Sequence, residues 1–161
     1  MILRIKRSNI NTVLFAGLLV SIFFLMTGMN IQNNPYAPKG IILGNGWNSA
    51  TRELDEVFVE QRVIDLGERG VKKVQVWTEI VNCEGRDFTW VIEYKNGLRQ
   101  EILTQKIRYN RFRTYIEKTF RRNLWNSSTK ELINVSGECR IILLDKSANN
   151  NIIIEKEVII Q

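Results

Sequence analysis

Two patterns of hydrophobic positions divide the chain. Residues 12–29 form an apolar run without a single charge, whereas residues 57–160 alternate apolar and polar positions in short segments separated by turn residues. A helix of 18 residues covers about 27 Å, which is close to the thickness of the hydrocarbon layer of a bilayer. Alternation with a period of two is typical of strands that bury one face. We therefore expect one transmembrane helix followed by a β domain.

The alternating part predicts about seven strands. The clearest is 88–95, in which Phe88, Trp90, Ile92 and Tyr94 share one face. Asn96-Gly97 follows, a pair typical of a type I′ hairpin turn. Turn signals spaced about 8–12 residues apart indicate a mainly β fold, an immunoglobulin-like antiparallel β-sandwich with Trp90 at its centre. The predicted strands are residues 57–65, 74–81, 88–95, 98–108, 111–119, 138–144 and 151–160.

The start of the chain predicts membrane topology. Arg4, Lys6 and Arg7 precede the apolar run and only Lys39 follows it closely, so residues 1–11 are expected in the cytoplasm and the bulk of the chain outside. The run exceeds the ~7–15 residues of a cleaved signal, and no small-residue cleavage site follows it. This favours a retained signal-anchor over a cleaved signal peptide. We expect a single-pass protein of the cell (inner) membrane.

The segment between the run and the β domain is predicted to be a linker. Residues 30–56 contain both prolines and three of the ten glycines, which disfavour regular structure. Residues 51–56 (TRELDE) are predicted to form one helical turn. The extracytoplasmic domain is then residues 57–161.

Composition excludes several kinds of chemistry. The chain has no histidine, which removes histidine-based catalysis and histidine metal sites. Its two cysteines cannot form a four-thiolate site, and no phosphate-binding glycine motif occurs. We therefore predict a protein that is not an enzyme and has no cofactor or metal. Outside the basic head, 20 cationic residues face 17 acidic ones, a small excess that does not indicate nucleic-acid binding.

The two cysteines are predicted to remain unpaired. Cys83 lies at the end of its strand and Cys139 at the start of another. In an immunoglobulin-like sandwich these two strands run in the same direction, so the thiols would lie at opposite ends of the core. Their Cα atoms would then exceed the ~7 Å limit for a disulfide.

Several motifs resemble a bacterial domain family of unknown function, numbered 2914. They occur in order as Val76-Trp77-Thr78-Glu79, Trp90 with Asn96-Gly97, Arg111 to Tyr115 with Lys118, and Gly137-Glu138 before Ile141 to Asp145. The chain departs from the family pattern at Thr89, Phe112, Ile116 and Cys139, as a divergent member would. The resemblance implies a periplasmic, often membrane-tethered β domain, and it implies no activity.

A basic segment, residues 106–122, provides the candidate binding residues. In a strand, Arg111, Arg113 and Tyr115 would share a face opposite Phe112 and Ile116. Such a face could recognise anions, or it could be an ordinary solvated strand face whose charges prevent sheet pairing. A third outcome is that Arg111 or Arg113 is buried against an internal acid such as Glu79, which would make the motif structural and leave no identifiable site. The candidates are Arg111, Arg113, Tyr115, Lys118, Arg121 and Arg122.

Two functions agree with these observations. The first is a membrane-tethered accessory or interaction module that docks on another envelope protein or complex. The second is a module that binds an anionic envelope glycan or lipid headgroups through residues 106–122. Binding of the second kind should weaken steeply with salt, whereas a protein partner should be retained at moderate salt.

Overall fold

The computed structural model describes residues 34–161, and the basic head at 1–11 and the predicted span at 12–29 lie outside them. Eleven strands and one short 3₁₀ helix, Lys146–Ala148, make up the described part, and none of its helices is long and apolar enough to cross a bilayer. The strands are β1 (Ile42–Asn48), β2 (Glu53–Val57), β3 (Val63–Ile64), β4 (Val71–Val81), β5 (Asp87–Tyr94), β6 (Arg99–Lys106), β7 (Arg111–Arg121), β8 (Asn123–Asn126), β9 (Glu131–Asn134), β10 (Gly137–Asp145) and β11 (Asn151–Ile160).

The strands form two main sheets and a separate hairpin. The first sheet has the order β2-β1-β4-β7 and the second has the order β3-β11-β10-β5-β6, while β8 pairs with β9. All pairs are antiparallel except β3 with β11. The mainly β, antiparallel prediction is confirmed.

One hydrophobic core unites the inner faces of the two main sheets. Val76 and Ile80 of β4 and Phe120 of β7 join Trp90 of β5 and Ile141 of β10 in a single buried cluster. Trp90 is only 1% exposed, which confirms its predicted place at the centre of the core. An arrangement in which two sheets share one core is consistent with a β-sandwich.

Six of the seven predicted strands correspond to β4, β5, β6, β7, β10 and β11. The strand predicted at 57–65 is wrong, because Val57 ends β2 and only Val63–Ile64 pair again, as β3. Hydrogen bonds to the first strand hold the intervening chain. The Phe58 amide donates to the Leu43 carbonyl, and Gln61 Nε2 donates to the same oxygen at 2.9 Å.

The linker predicted at 30–56 needs correction over its described part, residues 34–56, which pack on the β domain. They include β1, an interior strand of the first sheet, and most of β2, which forms its edge, and Tyr36, Ile41 and Leu43 are buried in the core. Gly44 and Gly46 serve close packing rather than flexibility, since a Cβ on Gly44 would lie 2.0 Å from the Glu56 carbonyl oxygen and one on Gly46 would lie 2.8 Å from Asp55 Oδ2. The helical turn predicted at 51–56 is also wrong: Arg52 has a left-handed φ of 57°, which ends the β1–β2 turn, and Glu53 begins β2.

The Asn96-Gly97 hairpin between β5 and β6 is confirmed, but its turn type is not. The Gly97 amide donates to the Tyr94 carbonyl and the Tyr94 amide donates to the Leu98 carbonyl, both at 2.8 Å. Gly97 has a φ of 80°, whereas Asn96 does not have the positive φ that a type I′ turn requires. These bonds fit a type I turn followed by a left-handed glycine.

Both cysteines are buried and unpaired. Burial raises the pKa of the Cys139 thiol to about 12 and also raises that of Cys83. A thiol with a raised pKa is a poor nucleophile, because the thiolate is the reactive form.

Candidate functional site

A buried carboxylate organises the outer face of the first sheet. Glu79 of β4 is 3% exposed and lies opposite Arg113 of β7 in the strand register. Its Oε2 accepts from Arg113 Nε at 2.6 Å, and its Oε1 accepts from Arg111 Nη2 at 2.8 Å. Lys39 Nζ lies 3.0 Å from the same Oε1. A carboxylate at this depth is stable only when such partners replace its lost water.

These partners also determine the charge state of Glu79. Burial alone would raise the pKa of its carboxyl group, but hydrogen bonds from Arg113, Lys39 and Arg111 outweigh burial and lower the pKa from 4.5 to about 2. Glu79 is therefore an anion at neutral pH. With three cations around one carboxylate, the cluster retains two positive charges.

Aromatic side chains lie beside this cluster. The rings of Trp47 and Tyr115 stack with centroids 4.1 Å apart and planes 19° apart. Tyr115 points outward from β7, whereas Trp47 reaches it from β1. Gly46, with a φ of 68°, precedes Trp47 and breaks the regular alternation of the strand, which explains how the indole reaches the outer face.

The β1–β2 turn folds over the same face. Trp77 Nε1 donates to the Arg52 carbonyl at 3.1 Å, and Arg113 Nη1 donates to the Thr51 carbonyl at 2.9 Å. Trp77 is consequently only 6% exposed although it points away from the core. Arg113 thus connects the buried carboxylate to the turn, which holds both in place.

A cavity of about 750 Å³, here named the β7 groove, opens beside these groups. It combines aromatic surface with guanidinium groups, and Tyr109 on its wall is 67% exposed. Aromatic residues and arginine are the types most enriched in protein interfaces. The walls include Trp47, Arg52, Tyr109, Arg111, Arg113 and Tyr115.

The structure divides the six candidate residues among three places. Arg111, Arg113 and Tyr115 line the β7 groove. Lys118 points inward, where its Nζ donates to Gln100 Oε1 at 2.7 Å and burial lowers its pKa. Arg121 and Arg122 are exposed at the far end of β7, about 34 Å from Arg111 at the usual rise of a strand. The six therefore do not form one continuous site.

Sequence reasoning missed Lys39 and Trp47, because both fall in the predicted linker. The signal for Trp47 was a large aromatic residue that follows the apolar Ile41 to Leu43 in a predicted linker, a composition that indicates contact with the membrane surface or with the domain. The third expected outcome is matched in part: Arg111 and Arg113 pair with Glu79, but the arginine side chains stay 59% and 28% exposed and also line the β7 groove.

The other buried acid, Asp145, has a structural role. It accepts hydrogen bonds from the Tyr36 hydroxyl and from the Ser147 amide, and these bonds tie the start of the described chain to the end of β10. Burial and the bond to Asp145 raise the pKa of Tyr36 to about 12. Within residues 34–161, no group of three histidine, cysteine, aspartate or glutamate side chains is placed to hold a metal ion.

Comparisons of the chain with protein-family models, curated protein sequences and solved structures found no match. The resemblance to family 2914 therefore stays a prediction.

Proposed function

We propose that this chain is a non-catalytic, membrane-tethered module whose β domain docks on another protein of the cell envelope from outside the cytoplasm. The apolar run at 12–29 behind Arg4, Lys6 and Arg7 supports the tether and the orientation. The proposed docking function rests mainly on the β7 groove, which combines stacked aromatic rings with arginines.

Strand order supports an immunoglobulin-like domain, a fold common among interaction modules. The orders β1-β4-β7 and β11-β10-β5-β6 correspond to strands A-B-E and G-F-C-C′ of that fold. Trp90 lies on β5, the equivalent of strand C, where immunoglobulin domains bury their central tryptophan.

Charge pairing favours a protein over an anionic polymer as the partner. Arg111 and Arg113 already donate to Glu79, so fewer of their N–H groups are left for direct hydrogen bonds to the phosphate or sulfate groups of a polymer, although the net positive charge of the cluster remains. The stacked Trp47 and Tyr115 offer apolar contact area of the kind in which protein–protein interfaces are enriched. The alternative, an anionic glycan or lipid headgroup, is supported by the two positive charges that the cluster retains.

The experiment is affinity purification of the tagged full-length chain from its own membranes, with a matched pair of variants. Trp47→Ala removes an aromatic wall of the groove, whereas Trp125→Ala removes a tryptophan that is 60% exposed on the β8–β9 hairpin. We expect the same protein to be retained at moderate salt by the wild type and by Trp125→Ala, and to be lost from Trp47→Ala.

Two results would overturn the proposal. The first is a retained partner that is indifferent to Trp47→Ala although the variant is folded. The second is retention only of anionic glycan or lipid, lost on raising the salt concentration, which would establish the alternative function.

A further inference from the structure

Strand β7 forms an open edge of the first sheet. It is 11 residues long and pairs with β4 over its whole length, from Arg111 opposite Val81 to Arg121 opposite Val71. Among residues 34–161, no strand pairs with its other side. An unpaired strand edge presents a row of amides and carbonyls that another strand can use.

The register shows which backbone groups of β7 point outward. In β4, the Glu79 carbonyl accepts from the Lys39 backbone amide at 3.0 Å, and the Val81 amide donates to the Tyr36 carbonyl at 2.8 Å. Tyr36 and Lys39 lie shortly before β1, which pairs with the side of β4 opposite β7. The odd-numbered residues of β4 therefore direct their backbone groups away from β7. Because these directions alternate along a strand, the even-numbered residues of β4 bond with their even-numbered partners in β7.

It follows that the odd-numbered residues of β7 direct their amides and carbonyls to the open edge. The Arg122 amide, which donates to the Gly70 carbonyl at 3.2 Å, continues the even-numbered pattern on the β4 side. The outward-directed residues are Arg111, Arg113, Tyr115, Glu117, Thr119 and Arg121.

The β7 groove provides space beside this edge. Its walls include Tyr115 from the outer face of β7, Phe112 and Thr114 from the inner face, and Gln105 of β6. A cavity lined from both faces of an edge strand opens along the edge itself. The side chains of an added strand would therefore find about 750 Å³ of room next to the first half of β7.

The positive charge around β7 indicates which kind of strand can bind at the open edge. The outward positions of β4 and β7, together with Lys39, carry five cationic side chains and two carboxylates, an excess of three positive charges. They are Lys39, Lys73, Arg111, Arg113 and Arg121 with Glu79 and Glu117. A second copy of this chain at the edge would bring two such faces together and would be repelled. An acidic segment would be attracted.

We propose that the open edge of β7 binds an extended, acidic segment of a partner protein as an additional strand of the first sheet. Backbone bonds to the odd-numbered residues hold the segment, and its outward side chains lie beside the cationic face. This inference rests on the proposed docking function, and it specifies the part of the partner that is recognised and the mode of binding.

The test uses the full-length chain in detergent and a decapeptide of alternating Glu and Val, which spans about 34 Å when extended. A decapeptide of alternating Lys and Val is the control for charge. We expect the acidic peptide to bind at least about tenfold more tightly, because like charges on adjacent strands repel. Its binding should slow hydrogen exchange at the amides of Arg113, Tyr115, Glu117 and Thr119, with little change at Thr114, Ile116 and Lys118, which β4 already protects.

A pair of variants at one exposed position tests the backbone bond. Thr119→Pro removes an outward-directed amide without touching the β4 side, whereas Thr119→Val keeps the amide. Loss of one backbone hydrogen bond should lower the affinity of Thr119→Pro for the acidic peptide roughly two- to tenfold. The affinity of Thr119→Val should not change. If Thr119→Pro does not fold, hydrogen exchange of the wild-type chain still tests whether the peptide bonds to the odd-numbered amides of β7.

Equal binding of both peptides, or binding without protection of the odd-numbered amides, would overturn the edge proposal. Protection of these amides that grows with protein concentration in the absence of peptide would mean that a second copy occupies the edge, and would also overturn it. Retention of a protein that depends on Trp47, together with no peptide binding, would refute the edge alone and leave the docking function standing. Failure of both experiments would refute both.

Discussion

The outer faces of the two sheets carry ion clusters that are near mirror images in charge. On the first sheet, the carboxylate of Glu79 receives three cations. On the second sheet, the guanidinium of Arg140 receives two carboxylates, Glu93 at 3.1 Å and Glu155. The side chain of Glu79, at the centre of the first cluster, is 3% exposed, whereas that of Arg140, at the centre of the second, is 37% exposed.

This difference in exposure separates a structural cluster from an ordinary surface one. Water can solvate Arg140 and its partners when a bond breaks, so pairs of this kind contribute about 0–1 kcal/mol. Glu79 cannot recover its water, and breaking a buried pair by removing its partners costs about 3–5 kcal/mol. The β1–β2 turn contributes to the difference, because it accepts hydrogen bonds from Arg113, a partner of Glu79, and from the nearby Trp77.

The largest effect is expected for the double reversal Arg111→Glu with Arg113→Glu. It replaces two donors by two carboxylates beside a buried third, so we expect the domain to lose at least about 3–5 kcal/mol of unfolding free energy. Urea unfolding followed by tryptophan fluorescence measures this loss.

Arg121→Glu with Arg122→Glu is the matched control, since it makes the same charge change at two exposed arginines of the same segment that form no ion pair within residues 34–161. It should change the unfolding free energy by under about 1 kcal/mol. Similar losses in the two double variants would show that Glu79 is not the cause.

A smaller effect is expected for Glu79→Gln, and it should depend on pH. Losing hydrogen bonds to a charged acceptor should cost about 1.5–3 kcal/mol at neutral pH. Because the folded pKa of Glu79 is about 2, below its ordinary value of 4.5, its contribution is complete above pH 4.5 and disappears as the pH falls towards 2. The unfolding free energies of wild type and variant should therefore converge over that interval, and a constant difference would contradict the assignment.

The sequence was sufficient to predict the central strands because their alternation is regular. Phe88 to Tyr94 and Arg111 to Phe120 each direct most of their large apolar side chains to one face, and both strands form where they were expected. The shared core around Trp90 follows from those faces. The same alternation placed Arg111 and Arg113 on the outer face, which is where they lie.

The rest of the site could not be predicted, because it depends on contacts between distant segments. Lys39 and Trp47 reach the face of β4 and β7 from a stretch whose prolines and glycines resemble a linker. Gly44 and Gly46 are required by a close backbone approach and a positive φ, which local composition cannot distinguish from flexibility. The β8–β9 hairpin was missed because its strands have only four residues each, too few for a clear period.

The smallest effect is expected for Arg140→Ala on the second sheet. The change removes both bonds of the exposed cluster but leaves Glu93 and Glu155, which are 33% and 42% exposed, free to be hydrated. We expect the unfolding free energy to fall by at most about 1 kcal/mol, and by less at high salt because ions screen exposed pairs. Urea unfolding at low and at high salt measures both quantities. A loss as large as that of Glu79→Gln, unchanged by salt, would mean that Arg140 is effectively desolvated, and the contrast between the two faces would then have to come from charge rather than from burial.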